Sequence, residues 1–280
     1  MVKINDLLKK GIAALQNSVS MPSLEAELFL AHILGKDRLY VLAFGDRQVE
    51  TEEENAFFKM CERRAKGEPA AYIIGEKEFM SLKFKVNPSV LIPRPETELL
   101  TEHIIEKYFG ESISILDLCT GSGAIAVSLA HFLPNARVLA TDISDDTLTV
   151  AKTNAEINKV QNRVSFIKAD ALIKTDFGQR FDILVSNPPY IESAVIPSLD
   201  KDVKDFEPIK ALDGGDDGLI FYKNIVDNID INLKRRGEIF FEIGFNQAKS
   251  VCDIMKTKFE NIKVIKDLAG LDRIVTGQLR

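Results

Sequence analysis

Apolar residues recur at helical spacing early in the chain. Ile4, Leu7, Leu8, Ile12 and Leu15 trace one face, and Leu24, Leu28, Ala31 and Leu34 trace a second. Ser23 is the expected N-cap of the second helix, with Glu25 and Glu27 in its first turn and Gly35 as its stop. A third helix is expected from Glu52 to Arg64, ending before Gly67. Residues 2–66 thus read as a small helical unit without a catalytic constellation, suited to recognising a large partner or to a structural cap.

From Ala71 the period shortens to two. Leu82, Phe84 and Val86 alternate with Lys83 and Lys85, and Tyr72-Ile73-Ile74 before Gly75 is the expected partner strand of a linking hairpin. Pro95 then suits the first turn of a helix, Glu96 and Glu98 sit near its positive end, and Leu99, Leu100, Ile104 and Ile105 carry it to Gly110. Beyond that, strands are expected near 113–118, 137–142, 163–168, 181–186, 238–243, 260–265 and 271–276, with helices filling the gaps. This is the α/β pattern of a doubly wound, mainly parallel sheet.

The run Phe181-Asp182-Ile183-Leu184-Val185-Ser186 ends in Asn187-Pro188-Pro189-Tyr190. Two prolines cannot continue a buried strand, so the tetrapeptide lies at a strand's carboxyl end, where open α/β sheets bind ligands. Asn187 offers a side-chain carbonyl, Pro188 a backbone carbonyl and Tyr190 a flat ring with a polar tip. Two acceptors side by side suit a planar –NH2 group and can aim its nitrogen at an electrophile. A plain turn uses the same residue types, so the neighbouring motifs decide.

The first strand of the series, Ser112 to Leu118, runs into Cys119-Thr120-Gly121-Ser122-Gly123-Ala124-Ile125-Ala126. Glycines at 121 and 123 allow a tight turn and close ligand approach, and Asp142, ending the next strand, can accept from both hydroxyls of a ribose. A nicotinamide or flavin enzyme would show the same pattern, while the absence of a P-loop Lys-Ser/Thr argues against a triphosphate. Asp117 beside the glycines is awkward for a pyrophosphate and suits the cationic methionine part of S-adenosylmethionine. Asp170-Ala171, after the third strand, would lie near the adenine.

Composition removes other classes. The formal net charge of −6 and pI near 5.3 oppose a grip on nucleic-acid backbone, and the densest basic run, Lys234-Arg235-Arg236, reads as a solvated helix C-terminus. Cys61, Cys119 and Cys252 have neither disulfide nor metal-ligand spacing, and His32, His103 and His131 sit inside helical patterns; a reducing, cytoplasmic setting without a metal is expected. No apolar run approaches a membrane span, and residues 1–6 lack the core of a signal peptide.

With these motifs in place, the chain closely resembles the class I S-adenosylmethionine methyltransferases that act on planar nitrogen. More narrowly, it resembles the peptide chain release factor glutamine N5-methyltransferases (the PrmC/HemK family). The resemblance runs through Leu24 to His32, Gly67 to Gly75 with Glu78-Phe79, Ile92-Pro93-Arg94-Pro95-Glu96-Thr97-Glu98, and Asp117 with Thr120 to Gly123. It continues through Asn187 to Tyr190, Ala211 to Leu219, Phe241-Glu242-Ile243-Gly244 and Asp267 to Arg273. Cys119 stands where the family usually has Gly, and Met80 where an aromatic is common.

The resemblance implies a seven-stranded Rossmann-like sheet with an N-terminal helical substrate-recognition domain over 1–70, a linking hairpin over 71–90 and a methyltransferase domain over 91–280. S-adenosylmethionine would be held by Thr97, Asp117, Cys119, Thr120, Gly121, Ser122, Gly123, Asp142, Asp170, Ala171 and Asn187. Asn187, Pro188, Pro189 and Tyr190 would hold the glutamine of the Gly-Gly-Gln loop of release factors 1 and 2. A monomer without direct nucleic-acid or membrane contact is expected. Glutamine methylation of a ribosomal protein, and more remotely N6-adenine methylation of DNA, share parts of the pattern.

Overall fold

The computed structural model describes residues 2–280. The chain divides into two compact units: residues up to Gly75 together with Asp200–Phe206, and Glu76–Leu199 together with Glu207–Arg280.

In the first unit, β1 (Val2–Lys3) leads into α1 (Ile4–Leu15), followed by α2 (Pro22–Leu34), α3 (Arg38–Ala43), β2 (Gln48–Val49), α4 (Thr51–Ala65) and α5 (Ala70–Ile74). The apolar faces of α1, α2 and α4 meet in a core of Leu7, Leu15, Phe29, Leu30 and Phe57. Helix α2 begins one residue before the expected cap. Pro22 occupies its first position, where the missing N–H costs nothing, so Met21 is the cap and Ser23 is already helical. Sequence periodicity missed α3, six residues long and started by Asp37, whose side chain accepts from the Tyr40 N–H at 2.7 Å.

Tyr72-Ile73-Ile74 is not a strand. It forms the one-turn helix α5, begun by Pro69 and closed by Gly75 at φ 81°, whose N–H donates to the Ala71 carbonyl at 2.8 Å. A short apolar triplet fits either period, and the flanking Pro and left-handed Gly decide for a helical turn. The hairpin therefore pairs β3 (Glu76–Phe79) with β4 (Leu82–Lys85).

The second unit continues with α6 (Pro95–Tyr108), β5 (Ser114–Leu118), α7 (Ala124–Phe132), β6 (Arg137–Asp142), α8 (Asp145–Ile157), β7 (Val164–Lys168) and β8 (Phe181–Ser186). After the short α9 (Lys201–Lys204), which belongs to the first unit, come α10 (Ile220–Asn228), β9 (Leu233–Glu242), α11 (Ala248–Met255), β10 (Phe259–Lys266) and β11 (Asp272–Leu279). Among the described residues seven strands form one sheet in the order β10-β11-β9-β8-β5-β6-β7, with only β11 antiparallel to its neighbours. The expected fold class and all seven strands are present.

Alternation along the strands explains the two-sided core. Ile183 and Val185 of β8 join Ile115, Val138 and Phe240 against α6 and α7 on one face. Leu184 joins Leu116, Leu139 and Phe241 against Tyr222 and Val226 of α10 and Val251 of α11 on the other. Both faces are thus covered, as a parallel sheet requires.

Lys234-Arg235-Arg236 does not end a helix. It opens β9, where Lys234 pairs with Asp182 at 2.8 Å and Arg236 takes φ 64° beside Gly237. The register of β8 and β9 shifts there, and the bulge places the charges at the exposed start of an inner strand rather than at a helix end. Nor does a helix fill the gap directly after β8: residues 187–219 are mostly loop.

Candidate active site

Strand β5 is the switch point of the sheet. The chain moves outward from it to β6 and β7, then returns to its other side as β8. A crevice opens at the carboxyl ends of such strands. Here it is a cleft of about 510 Å³, lined by the 119–122 loop, Asp142, Ala169 to Leu172, Asn187 and Pro189. Ser89 to Leu91, Pro93, Arg94, Thr97 and residues 208–211 also line it.

The loop after β5 is built from three left-handed residues, Cys119 at φ 62°, Gly121 at φ 56° and Gly123 at φ 80°. Gly121 has open space where a Cβ would stand, so its backbone is approachable. At Gly123 a Cβ would come within 3.1 Å of the Ala151 side chain, so glycine lets α7 and α8 approach closely. Cys119 occupies a conformation that costs a non-glycine residue about 1 kcal/mol or more, a reason for glycine to be usual there. Burial, with Asp142 and Asp117 nearby, pushes its thiol above the ordinary range.

Asp142 braces this loop. Its Oδ2 accepts from the Gly121 N–H at 3.0 Å and its Oδ1 from the Ser144 N–H at 3.1 Å. Each oxygen keeps a further lone pair. Asp170, also in the lining, accepts from the Leu172 N–H at 2.8 Å and so fixes the turn through Ala171.

Asp117 does not line the cleft. It is fully buried beneath the loop, where Oδ2 accepts from the Thr120 hydroxyl at 2.6 Å and Oδ1 has no hydrogen-bond partner among the described residues. Burial pushes its carboxyl up to about 7. Since the folded value lies above the unfolded one, the group's stabilisation is complete below about pH 4 and is lost as pH rises to 7. The Asp117→Asn variant should therefore gain in Tm on wild type as pH is raised from about 5 to 8. A difference in Tm that stays flat across that range would contradict this.

The structure brings ten of the expected site residues to the cleft: Thr97, Cys119, Thr120, Gly121, Ser122, Asp142, Asp170, Ala171, Asn187 and Pro189. Pro188, Tyr190, Asp117 and Gly123 are not among the residues that line it. Tyr190 is half-buried against the α10–α11 side of the core, and burial with Glu242 nearby pushes its phenol up.

Three features were not read from the sequence. The buried Glu207 carboxylate accepts from the Arg94 guanidinium at 2.5 Å and from the Ile92 N–H at 3.2 Å, tying the cleft wall together. Gln247 donates to the Tyr190 carbonyl at 2.9 Å and the Gly218 carbonyl at 3.2 Å, and accepts from the Gly244 N–H at 2.9 Å. Glu242 is buried next to Asn187, with Thr97 donating to it. A lone carboxylate inside Ile239-Phe240-Phe241-Glu242-Ile243 was the available signal.

Gln247 holds the tetrapeptide only because Gly218 is bare. At φ 67° a Cβ there would meet the Tyr190 carbonyl at 2.4 Å and Gln247 Nε2 at 2.7 Å. Gly218→Ala should destabilise the fold by about 1–3 kcal/mol, seen as a Tm several degrees lower. An unchanged Tm would mean that the loop yields freely.

A doubly wound sheet with a glycine loop after its central strand and a carboxylate ending the next is an architecture that class I methyltransferases share with dinucleotide-binding enzymes. The fold agrees with a solved methyltransferase from Pyrococcus furiosus (TM-score 0.52, 17% identity, 72% of this chain and 91% of that one). It also agrees with the hMettl16 catalytic domain (TM-score 0.57, 16% identity, 81% of this chain and 82% of that one). Residues 6–75 match the PrmC N-terminal domain and residues 95–199 the methyltransferase small domain.

The release factor glutamine methyltransferase of Clostridium botulinum is 39% identical over 279 residues, covering 98% of this chain and 99% of its own. That of Moorella thermoacetica is 43% identical over 258 residues, covering 91% and 90%. The chain belongs to the release factor glutamine methyltransferase family. Among its described residues no helix is long and apolar enough to cross a membrane.

Proposed function

We propose that this chain transfers the methyl group of S-adenosylmethionine to the side-chain amide nitrogen N5 of the glutamine in the Gly-Gly-Gln loop of release factors 1 and 2. One observation carries the reading most strongly. Asn187 stands in the same cleft as Asp142 and the glycine loop, with its amide nitrogen already engaged by Thr97 at 3.1 Å. Its amide oxygen is left for a ligand.

The cleft suits S-adenosylmethionine. Its volume lies in the ordinary range for a cofactor site. The free lone pairs of Asp142 are the acceptors for a ribose diol, the open backbone at Gly121 accommodates the amino-acid end, and Asp170 with Ala171 takes the adenine edge. Cys119, Thr120, Ser122 and Gly123 shape the loop, and Asp117 lends it negative potential from beneath. The cofactor supplies an electrophilic methyl group on a sulfonium whose leaving group is a neutral thioether.

An amide nitrogen is a weak nucleophile because its lone pair is delocalised into the carbonyl. Placement is then the chain's main contribution, holding nitrogen and methyl in line and excluding water. Asn187 Oδ1 and the Pro188 carbonyl accept hydrogen bonds from the two amide N–H groups, and the methylated nitrogen gives up its surplus proton to solvent once the transfer is complete. These bonds strengthen as the nitrogen attacks and its N–H groups become more acidic. Pro189 and Tyr190 wall the glutamine slot. The helical unit over residues 1–70 serves recognition of the release factor, and the protein works as a cytoplasmic monomer without direct nucleic-acid contact.

The test offers S-adenosylmethionine with a labelled methyl group to release factor 1, to its Gln→Ala variant in the Gly-Gly-Gln loop, and to duplex DNA. Label on the wild-type factor alone supports the assignment. Label on DNA, or equal label on the variant, overturns it.

A further inference from the structure

We propose that Thr97 and Glu242 set the donor–acceptor polarity of Asn187, making Thr97 a positioning residue for the acceptor that meets the substrate nitrogen. The inference rests on the glutamine-amide reading of Asn187.

The sheet supplies the placement. Strands β8 and β9 run parallel with Ser186 level with Phe241, so the next residues along, Asn187 and Glu242, emerge side by side. Thr97, in the first turn of α6 and 5% exposed, stands against both. Its hydroxyl donates to Glu242 Oε2 at 2.6 Å, and Asn187 Nδ2 donates to Thr97 Oγ1 at 3.1 Å.

A hydroxyl has one proton. Thr97 gives it to Glu242, so only a lone pair faces Asn187, and an amide meeting a lone pair must present its –NH2. The nitrogen and oxygen of an amide share one carbon, so this turns Oδ1 away from Thr97, as an acceptor. With the chain reversed, Asn187 would present –NH2 to the substrate –NH2, donor against donor. The two orientations have almost the same shape, so packing cannot choose between them; hydrogen-bond polarity does.

Glu242 needs such a reason to exist. It is 2% exposed within an apolar strand, and an ionised carboxylate there is costly unless bonded. Burial pushes its carboxyl up to about 7, while the bonds from Thr97 and Asn187 pull it down. Arg273 also lowers it, Glu96 opposes, and the Tyr190 and Tyr222 phenols are near it.

Two near-isosteric changes separate polarity from packing. Thr97→Val removes the hydroxyl and should lower kcat about tenfold to a hundredfold, with a smaller loss of S-adenosylmethionine affinity. Thr97→Ser restores the hydroxyl and should bring kcat back to within about threefold. Because the relay acts only through Asn187, adding Thr97→Val to Asn187→Ala should cost nothing further, whereas independent roles would multiply.

The proposal is overturned if Thr97→Val turns over release factor at the wild-type rate, if Thr97→Ser falls as far as Thr97→Val, or if the double variant shows the product of the two losses. Wild-type turnover by Asn187→Ala alone would overturn the amide-holding reading itself. An inactive Asn187→Ala beside a fully active Thr97→Val would overturn only the relay.

Discussion

Replacing Asn187 by Ala is expected to lower kcat for release factor methylation about a hundredfold to a thousandfold, the range seen when one preorganised polar contact to a reacting group is removed. The Asn187 side chain is the only part of the proposed acceptor pair that a substitution can delete, since the other part is the Pro188 backbone carbonyl. Its amide oxygen does little for the resting glutamine, whose N–H groups water solvates equally well. The bond gains as the nitrogen lone pair moves toward the methyl carbon and the N–H groups become more acidic, so the loss falls on the transition state.

Affinity for S-adenosylmethionine should stay within about threefold, because the groups proposed to read the ribose and adenine lie on β6, at Asp142, and in the turn after β7, at Asp170. The release-factor KM should rise less than kcat falls. Stopped turnover at saturating substrates with isothermal titration of the cofactor separates the two effects. Near wild-type kcat would mean that the glutamine amide is held elsewhere.

Much of this site was legible because its chemistry sits on backbone punctuation. Asn187-Pro188-Pro189-Tyr190 must end a strand, since two prolines cannot donate to a ladder. The glycines at 121 and 123 must make a turn, and Asp142 follows an unmistakable apolar run. Each is a local signal, and local signals survive folding. The inner strands β5, β6, β8 and β9 were readable for a related reason: burial on both faces makes much of each a continuous apolar run.

What escaped reading depends on partners distant in sequence. Thr97 is legible as a cofactor residue through the resemblance, but its link to the acceptor pair is not. Its meaning comes from Glu242, 145 positions away, and Asn187, 90 positions away. Gln247, Gly218 and Tyr190 form a brace that no spacing rule reveals. The Tyr72 to Ile74 turn and the Lys234 to Arg236 run were misread for the opposite reason. Three residues are too few to distinguish periods of 2 and 3.6, and a basic cluster looks the same at a helix end and at a strand's exposed start.

Asp142→Ala should weaken S-adenosylmethionine binding about a hundredfold or more, with kcat at saturating cofactor much less affected. Two charge-assisted hydrogen bonds to a ribose diol, each contributing about 1.5–3 kcal/mol, account for at least that factor. A second loss is built into the geometry. The same carboxylate holds the Gly121 and Ser144 N–H groups at 3.0 and 3.1 Å, so its removal also loosens the loop that must meet the cofactor's other end.

Asp142→Asn separates these contributions. It keeps the size of the side chain and one carbonyl acceptor but turns the second oxygen into a donor, which faces either a backbone N–H or a ribose hydroxyl. Its affinity should fall between those of the wild type and Asp142→Ala. Titration calorimetry of all three proteins with S-adenosylmethionine decides the matter. If Asp142→Ala bound within about threefold of wild type, the carboxylate would be a brace for the 119–123 loop alone, and the ribose would have to be read by another group in the cleft.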